Sequence, residues 1–345
     1  MKTITEIPSM MQALELEAYT GWRRGLKLVS RPVPRPGPGE VLVRITAAPV
    51  NPADFAFMKG MYGVSKSLPT VPGWEGSGVV VAAGEGWYAR YLLGKRVACA
   101  APEDGGGTWA EYMVTPANRC IPLRRRVSDE QGAALLINPM TAWALVDLAR
   151  RGGHRAVVQT AAAGALGRMI WRLGERRGLT MVNIVRRPEQ VDLLTGLGAA
   201  HVLSTHEPDF DDRLKAVCRE LGVTMAFDAV AGEMPDRLLA ALPRRAEVVV
   251  YGALSNSVCQ VNPGRLIFKD QRVRGFWVSR WRPRFGLPGQ VYAGLRIQDM
   301  LAAELETPIQ ARLPLEKAFE GMEQYVKNMS AGKILLMPGG ELSPR

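Results

Sequence analysis

Six short apolar runs, separated by segments with helical character, occupy the middle of this chain and restrict its fold most strongly. The runs are Ala156–Ala161, Met181–Val185, His201–Ser204, Met225–Val230, Val248–Gly252 and Val273–Val278. Most are almost wholly apolar rather than alternating, which is typical of parallel strands that are covered by helices on both faces. Strands of this kind that alternate with helices predict a doubly wound α/β domain with a six-stranded parallel sheet.

The segment between the second and third runs carries the signals of a helix. Pro188 stands at its start, and Val191, Leu194 and Leu197 are spaced to share one face. Gly198 follows as a stop signal. This segment therefore predicts one of the helices that cover the sheet.

The first 125 residues have a different composition, rich in proline and glycine, with short strand-like runs. These runs are Val41–Ala47, Ser77–Ala82 and Arg96–Ala100. Turn-forming sequences separate them and predict a compact, irregular β-domain. The pattern changes near Ser128, which with Gln131 three residues later predicts a capped helix start. After Pro288 we expect a helix over residues 291–305 and a final strand over residues 334–337.

Composition excludes several classes of protein. No stretch approaches the roughly 18 apolar residues of a membrane helix, and the first 16 residues lack the apolar region of a secretory signal. The four cysteines form no C-x-x-C pair, so we expect no disulfide framework and a reducing cytoplasm. The net charge of +11 is spread along the chain as arginine doublets and triplets, which suit either a solvated surface or anionic ligands.

The first apolar run leads into a turn of small residues that precedes a helical segment. The turn reads Ala161-Ala162-Ala163-Gly164-Ala165-Leu166-Gly167. Small residues let backbone N–H groups approach a pyrophosphate, and the helix N-terminus adds partial positive charge. The turn keeps only part of the G-x-G-x-x-G pattern. Its place after the first strand of a six-strand unit nevertheless predicts a dinucleotide site.

The end of the second run indicates which nicotinamide cofactor this site takes. A carboxylate there binds the 2′-hydroxyl of NAD, whereas an arginine takes the 2′-phosphate of NADP. The chain has Arg186 and Arg187 at this point, with Glu189 only after them. Guanidinium groups match phosphate oxygens in charge and geometry. We therefore predict NADP(H), held by Arg186, Arg187 or both.

The chain offers few residues for metal or nucleophilic chemistry. Its three histidines, His154, His201 and His206, flank strands and are expected on surface loops. They do not combine with cysteines at metal-like spacing, and neither a G-x-S-x-G elbow nor a P-loop is present. Hydride chemistry remains, in which the cofactor performs the difficult step while the protein positions and protonates the substrate.

Several motifs, spread over nearly the whole length, resemble those of the zinc-independent medium-chain dehydrogenases/reductases. The motifs are Asn51–Asp54, Gly60–Gly63, Pro72–Gly76, Asn138–Ala142, Leu197–Val202 and Tyr251–Gly252. Zinc-dependent members of the superfamily place a cysteine near position 51 and a histidine near position 74, where this chain has Asn51 and Trp74. The resemblance implies a GroES-like catalytic domain at residues 1–130, completed by about residues 305–345, and a Rossmann NADP-binding domain at residues 131–304, with no zinc.

Within that superfamily the chain most resembles the mitochondrial-type NADPH-dependent trans-2-enoyl thioester reductases. The most specific segment is Leu266–Trp281, whose blocks Ile267–Asp270 and Arg274–Trp277 are similar to them almost residue for residue. Gln159 and the segment Asn183–Arg186 are also similar. The resemblance implies that Tyr62 is the catalytic tyrosine that assists protonation, and that Trp277 and Trp281 line the substrate pocket. The residues implied to contact the cofactor are Asn51, Asn138, Ala163, Gly164, Ala165, Leu166, Gly167, Arg186, Arg187, Tyr251, Gly252, Phe276, Trp277 and Lys333.

Three functional hypotheses follow from these observations. The first is NADPH-dependent reduction of a trans-2-enoyl thioester linked to CoA or to a carrier protein. The second is reduction of a quinone, because the quinone oxidoreductases are similar in the same loops. The third is a nucleotide-binding protein without catalytic activity.

Arginines interleaved with aromatics over residues 276–285 are also typical of single-strand nucleic-acid binding. We nevertheless expect neither nucleic acid nor membrane as a partner, and we expect a homodimer joined at the last strand of the sheet.

Overall fold

A computed structural model of the chain describes residues 7–281, 286–301 and 303–339. It divides into two compact units. The first consists of the chain up to Ile137 and from Leu287 onward, and the second is Asn138–Gly286. The expected boundaries at residues 130/131 and 304/305 therefore differ from the divisions that the structure shows.

The strands and helices follow one another along the chain as two series. The strands are β1 Met10–Leu16, β2 Leu26–Pro32, β3 Glu40–Pro49, β4 Glu75–Ala83, β5 Arg96–Ala100, β6 Tyr112–Pro116, β7 Cys120–Pro122, β8 Ala156–Gln159, β9 Thr180–Val185, β10 His201–Ser204, β11 Met225–Asp228, β12 Glu247–Val250, β13 Arg272–Gly275, β14 Ile309–Leu313 and β15 Lys333–Leu336. The helices are α1 Trp22–Gly25, α2 Pro52–Met58, α3 Trp87–Leu92, α4 Asp129–Ala133, α5 Asn138–Arg151, α6 Ala165–Arg176, α7 Pro188–Gly196, α8 Phe210–Glu220, α9 Met234–Ala241, α10 Pro263–Lys269, α11 Val278–Trp281, α12 Gly286–Gln298 and α13 Ala318–Lys327.

The second unit contains a six-stranded sheet in the order β10-β9-β8-β11-β12-β13, and every pairing in it is parallel. In order of sequence this is 3-2-1-4-5-6, the doubly wound order of dinucleotide-binding domains. Each strand coincides with one of the six apolar runs, so the predicted fold class is confirmed. Strands β8 and β11 are buried along their whole length, which explains why their sequences do not alternate.

The predicted helix after the second strand is present as α7, and Gly198 beyond its end has a φ of +98°. Glycine adopts that left-handed conformation without the steric cost that a side chain would add. The predicted helix start at Ser128 is also present, since its hydroxyl accepts a hydrogen bond from the Gln131 N–H at 3.1 Å. The Gln131 side chain does not complete a capping box, because it pairs with the backbone of Thr307 instead.

The first unit is built around β3, which pairs with β4 and β6 and, through its last residues, with β15. The sheet runs β14-β15-β3-β4-β5-β7, and β1 and β2 form a separate antiparallel pair. Phe57 and Trp109 are fully buried in the core of this unit. The chain leaves the unit after Ile137 and returns to it at Leu287, so its core is assembled from two segments that the second unit separates.

The second boundary falls early because the chain after Leu287 already packs within the first unit. Gln298 accepts a hydrogen bond from the Arg124 N–H at 2.7 Å and donates one to the Pro122 carbonyl at 3.1 Å. A Cβ on Gly294 would lie 2.5 Å from the Ile121 side chain. Helix α12 also ends at Gln298, seven residues before the expected end at residue 305.

No helix among the described residues is long and apolar enough to cross a membrane.

Candidate active site

Most of the predicted cofactor residues lie in the second unit, where the strands of the parallel sheet end. Because all six strands point the same way, the segments that follow them emerge at one edge of the sheet. The predicted residues that follow these strands directly are Ala163, Gly164, Ala165, Leu166, Gly167, Arg186, Arg187, Tyr251, Gly252, Phe276 and Trp277. The structure therefore brings these residues to the edge at which doubly wound sheets bind nucleotides.

Gly167 is closely packed within the turn between β8 and α6. A Cβ at this position would lie 2.6 Å from the Ala161 carbonyl oxygen and 2.6 Å from the Ala162 Cα. The Gln159 amide donates to the Gly167 carbonyl at 2.9 Å and to Asn183 Oδ1 at 2.7 Å, which ties the turn to β9. Helix α6 begins at Ala165, so its N-terminal N–H groups follow the turn. The turn thus provides the close backbone and the helix terminus that a pyrophosphate requires.

Arg186 and Arg187 are both exposed at the end of β9, immediately before α7. The backbone is fixed there, because Gln190 Oε1 accepts hydrogen bonds from both of their N–H groups, at 3.1 and 3.2 Å. The Arg186 carbonyl accepts a further bond from Ser204 at 3.2 Å. Both guanidinium groups are accordingly available to solvent on a fixed backbone, which suits recognition of a phosphate.

A buried carboxylate that was not among the predicted site residues organises the ends of β8 and β11. Asp228 accepts hydrogen bonds from Thr160 Oγ1 at 2.7 Å and from the N–H groups of Val230 and Ala231 at 3.0 and 2.8 Å. Burial raises the pKa of Asp228, and these hydrogen bonds oppose that shift. The Asp228 carbonyl accepts from the Tyr251 N–H at 2.8 Å, which links the ends of neighbouring strands. The signal for this residue is its place as the one acidic residue within the six apolar runs.

Phe276 and Trp277 are partly buried and follow the edge strand β13. The Phe276 N–H donates to the Val250 carbonyl at 2.8 Å, which extends the β12–β13 pairing. The Arg280 guanidinium lies 5.5 Å from the centroid of the Trp277 ring. Trp281 ends α11, and residues 282–285 of the predicted arginine-aromatic segment lie outside the described residues. Asn138, the first residue of α5, is buried.

The predicted catalytic tyrosine lies in the first unit, within a cluster of aromatic rings. The ring centroids of Tyr62 and Trp74 are 5.1 Å apart with the planes tilted by 38°, and Phe57 meets Trp74 edge-on, also at 5.1 Å. Lys66 Nζ lies 4.6 Å from the Trp74 centroid and donates to the Gly105 carbonyl at 2.6 Å. Burial lowers the pKa of Lys66 to about 8, and the nearby Arg119 adds to that shift. The cluster therefore holds Tyr62 through ring packing next to a buried cation.

Two more predicted cofactor residues, Asn51 and Lys333, contact each other inside the first unit. Lys333 Nζ donates to Asn51 Oδ1, and the Asn51 amide donates to Glu75 Oε1 at 3.2 Å. The Asn51 N–H donates to Asp54 Oδ2 at 2.7 Å. All four side chains are at most 1% exposed. Asp54 and Glu75 lie within the motifs Asn51–Asp54 and Pro72–Gly76, but neither carries a predicted role.

The described residues contain no group of three or more His, Cys, Asp or Glu that could hold a metal ion. Asn51 and Trp74, at the positions of two zinc ligands in zinc-dependent relatives, lie within the polar network and the aromatic cluster just described. Zinc independence stays a prediction from these residue types.

The amino-acid sequence matches two protein-family profiles and is similar to known proteins. The profile of the alcohol dehydrogenase GroES-like domain matches residues 37–125, and that of the zinc-binding dehydrogenases matches residues 165–287. A mitochondrial enoyl-[acyl-carrier-protein] reductase of Caenorhabditis elegans is 34% identical over 256 residues, which cover 72% of this chain and 71% of the relative.

Two solved structures are similar over nearly the whole length. A candidate NADPH:quinone reductase from Mesorhizobium loti is 36% identical with a TM-score of 0.89, and the match covers 97% of this chain and 100% of that one. A mycobacterial protein solved with NADPH is 27% identical with a TM-score of 0.81, covering 95% and 100%.

A GroES-like unit and a parallel sheet that carries a glycine turn, present in one chain, define a two-domain oxidoreductase. The chain belongs to the medium-chain dehydrogenase/reductase family, in the group that contains the mitochondrial-type enoyl reductases and the quinone oxidoreductases.

Proposed function

We propose that the protein is an NADPH-dependent reductase of activated C=C bonds, and that its substrate is a trans-2-enoyl thioester linked to CoA or to a carrier protein. The observation that carries the cofactor assignment is the pair of exposed arginines at the end of β9, where an NAD-dependent relative would have a carboxylate. The substrate class is supported by the similarity to an enoyl-[acyl-carrier-protein] reductase.

The residues at the carboxyl edge of the parallel sheet fit a dinucleotide. The close backbone at Gly167 and the start of α6 would hold the pyrophosphate. Arg186, Arg187 or both would hold the 2′-phosphate through charge-assisted hydrogen bonds. The bound cofactor supplies the hydride that the β-carbon of the enoyl group receives.

The chain itself supplies the proton and stabilises the developing charge. Addition of hydride to the β-carbon leaves an enolate-like charge on the thioester, and the α-carbon must then be protonated. In the proposed mechanism the Tyr62 hydroxyl donates a hydrogen bond to that charge and delivers the proton. The contact with Trp74 limits the positions that the Tyr62 ring adopts, so that the phenol is oriented before the substrate binds.

The test is NADPH oxidation, followed by absorbance, with crotonyl-CoA and a longer trans-2-enoyl-CoA. A benzoquinone and NADH serve as the alternative substrate and the alternative cofactor. We expect turnover of the enoyl thioesters with NADPH and at least a roughly tenfold lower kcat/KM with NADH, because a lost charge-assisted phosphate contact costs about 1.5–3 kcal/mol. Binding of NADPH without turnover of any substrate would contradict an enzymatic role.

A second candidate substrate is a quinone, because the 36% identical structure is described as a candidate NADPH:quinone reductase. Quinone reduction places both new protons on oxygen atoms, which exchange protons with water readily. A proton donor for carbon is then unnecessary. Turnover of benzoquinone alone would favour this reaction while leaving the cofactor assignment intact.

We also propose that the protein forms a homodimer through β13 and α10. Strand β13 lies at the edge of the parallel sheet and therefore offers unpaired backbone groups. Helix α10 has no buried residue, and Ile267 and Phe268 are 69% and 72% exposed. A second copy related by a twofold axis would continue the sheet edge to edge and cover this apolar helix.

Replacing Ile267 and Phe268 together by glutamate should convert the dimer to a monomer, because four charges would be buried in the symmetric interface. Light scattering coupled to size-exclusion chromatography measures the change. Trp87→Glu, at a residue that is 75% exposed in the other unit, is the matched control and should leave the mass unchanged. A monomeric unmodified protein, or a double variant that remains dimeric, would rule out this interface.

The proposed compartment is a reducing cytoplasm. All four cysteines are free, and Cys99 and Cys120 are not joined although they lie opposite each other on β5 and β7. Fractionation of cells that express the natural gene would test this assignment.

A further inference from the structure

Lys333 is enclosed by oxygen atoms of its own unit. Its side chain is 1% exposed, and Nζ donates to Asn51 Oδ1, to the Val50 carbonyl at 3.3 Å and to the Tyr325 hydroxyl at 3.3 Å. An ammonium group has three hydrogens to donate, so these acceptors account for its full capacity. This arrangement does not suit a lysine that contacts a cofactor directly.

The Asn51 side-chain amide is held at both ends by groups of opposite charge. Its oxygen faces the Lys333 ammonium, and its nitrogen donates to Glu75 Oε1 at 3.2 Å. An ammonium can only donate and a carboxylate can only accept, so a flipped amide would lose both bonds. Lys333 and Glu75 together therefore allow one orientation of Asn51.

Glu75 connects this amide with the end of the first of the two segments that form the first unit. Its second oxygen accepts hydrogen bonds from the N–H groups of Leu136 and Ile137, both at 2.9 Å. Asn138, which begins the second unit, follows directly in the chain. One carboxylate thus fixes a predicted cofactor residue, Asn51, and the backbone that immediately precedes another.

The charges in the network are few and closely coupled. Burial raises the pKa of both Asp54 and Glu75 to about 7, while the Lys333 ammonium lowers both values. Lys66, whose ammonium interacts with Asp54, is the other cation near the pair. Because both carboxyl groups have a pKa of about 7, together they carry about one negative charge near neutral pH. That charge balances the single Lys333 ammonium. Loss of Lys333 would therefore change both the amide orientation and this balance.

We propose that Lys333 and Glu75 are positioning residues that hold the Asn51 amide between a cation and a carboxylate, and that Lys333 acts on catalysis through Asn51 rather than by contact with the cofactor. This inference rests on the proposed function for the role of Asn51 toward the bound reactants. A misplaced reactant lowers the rate of the chemical step much more than it weakens cofactor binding. If Lys333 positions Asn51, its substitution should therefore lower kcat. If Lys333 contacts the cofactor, its substitution should instead raise the NADPH Kd.

The test compares Lys333→Met, Glu75→Gln and a matched control, Lys327→Met, which removes an exposed charge from α13. NADPH affinity is measured without substrate by fluorescence, and kcat by NADPH oxidation. We expect Lys333→Met and Glu75→Gln to lower kcat about 100-fold and to change the NADPH Kd less than about threefold. A tenfold or larger rise in Kd with unchanged kcat in Lys333→Met would show direct contact and overturn the proposal.

A double-substitution comparison tests whether Lys333 acts through Asn51. If it does, Asn51→Ala with Lys333→Met should be about as slow as Asn51→Ala alone, whereas independent roles would multiply. Lys333→Arg, which keeps the cation, replaces Lys333→Met if thermal unfolding shows that the methionine variant is not folded. The NADPH Kd is measured without substrate. It would therefore still show whether Lys333 contacts the cofactor if the protein did not reduce enoyl thioesters.

Discussion

Replacement of Tyr62 by phenylalanine is expected to lower kcat for enoyl thioester reduction by about 100-fold or more, because a positioned general acid contributes about 10²–10⁴-fold. Phenylalanine keeps the ring that packs on Trp74 at 5.1 Å, so the aromatic cluster should remain intact. The NADPH Kd should not change, since the phenol acts on the substrate. Steady-state kinetics and substrate-free binding measure the two quantities separately.

Tyr91→Phe is the matched control, because Tyr91 is 52% exposed in the same unit and stacks on Tyr88. It should leave kcat, Kd and the unfolding temperature unchanged. A Tyr62→Phe enzyme with full kcat would remove the phenol from the mechanism. A parallel rise in NADPH Kd would instead place Tyr62 against the cofactor. With a quinone as substrate the effect of Tyr62→Phe should be much smaller, because protons reach oxygen from water.

Replacement of Gly167 by valine is expected to impair NADPH binding and to destabilise the second unit. The new Cβ would lie 2.6–2.7 Å from backbone atoms of Ala161 and Ala162, which cannot move without opening the turn. Overpacking of this kind costs about 1–3 kcal/mol. If the whole cost falls on the binding-competent conformation, the Kd for NADPH rises about 5- to 150-fold. Fluorescence titration and thermal unfolding measure the two effects.

Gly196→Ala provides the control for a glycine in the same unit. Gly196 is the last residue of α7, and a Cβ there would meet nothing within 4 Å. Alanine should leave NADPH binding unchanged and stabilise the helix by up to about 1 kcal/mol. Equal losses of affinity in both variants would mean that the turn at Gly167 does not contribute to the cofactor site.

The parallel sheet of the second unit was predictable because burial on both faces leaves a signal in each strand separately. Runs such as Val248–Gly252 are apolar without alternation, and their order along the chain then suggests the doubly wound topology. Strands β1 and β2 in the first unit escaped prediction. They pair with each other over seven positions, yet β2 is mostly exposed or half-buried and follows α1 without a turn between them, so neither a buried apolar run nor a turn signal marks it.

The ends of elements were less predictable because they depend on partners far away in the sequence. Helix α12 stops at Gln298, whose side chain bonds Pro122 and Arg124, about 175 positions earlier. Gln131 fits a capping box by its spacing, but its amide is used by Thr307. In both cases a side chain makes a tertiary hydrogen bond that no local pattern reveals.

In the candidate site, too, some residues could be predicted from local sequence and others could not. The glycine turn and Arg186 were recognisable because their chemistry follows from local sequence and from the position of a strand end. The partner of Lys333 was not, because Lys333 reaches Asn51 only after β15 pairs with β3, with Leu335 opposite Pro49. The contacts of Glu75 and Asp54 with Asn51 could not be predicted either, because a carboxylate in a sequence motif does not show which group it will bind in the folded protein.

The division of the first unit between the two ends of the chain has a consequence for synthesis on the ribosome. The second unit, Asn138–Gly286, is continuous and has all its strands as soon as it has emerged. The first unit lacks β14 and β15 until the second unit has been made, so part of its core and the Lys333 cation that faces Asn51 are added only afterwards. Contacts between such distant segments form slowly, because a long loop must close first. The nascent protein therefore passes through a stage in which the second unit has all its strands while Ala48 and Pro49 of β3 still lack their partner strand β15. Unpaired strand segments of this kind favour aggregation.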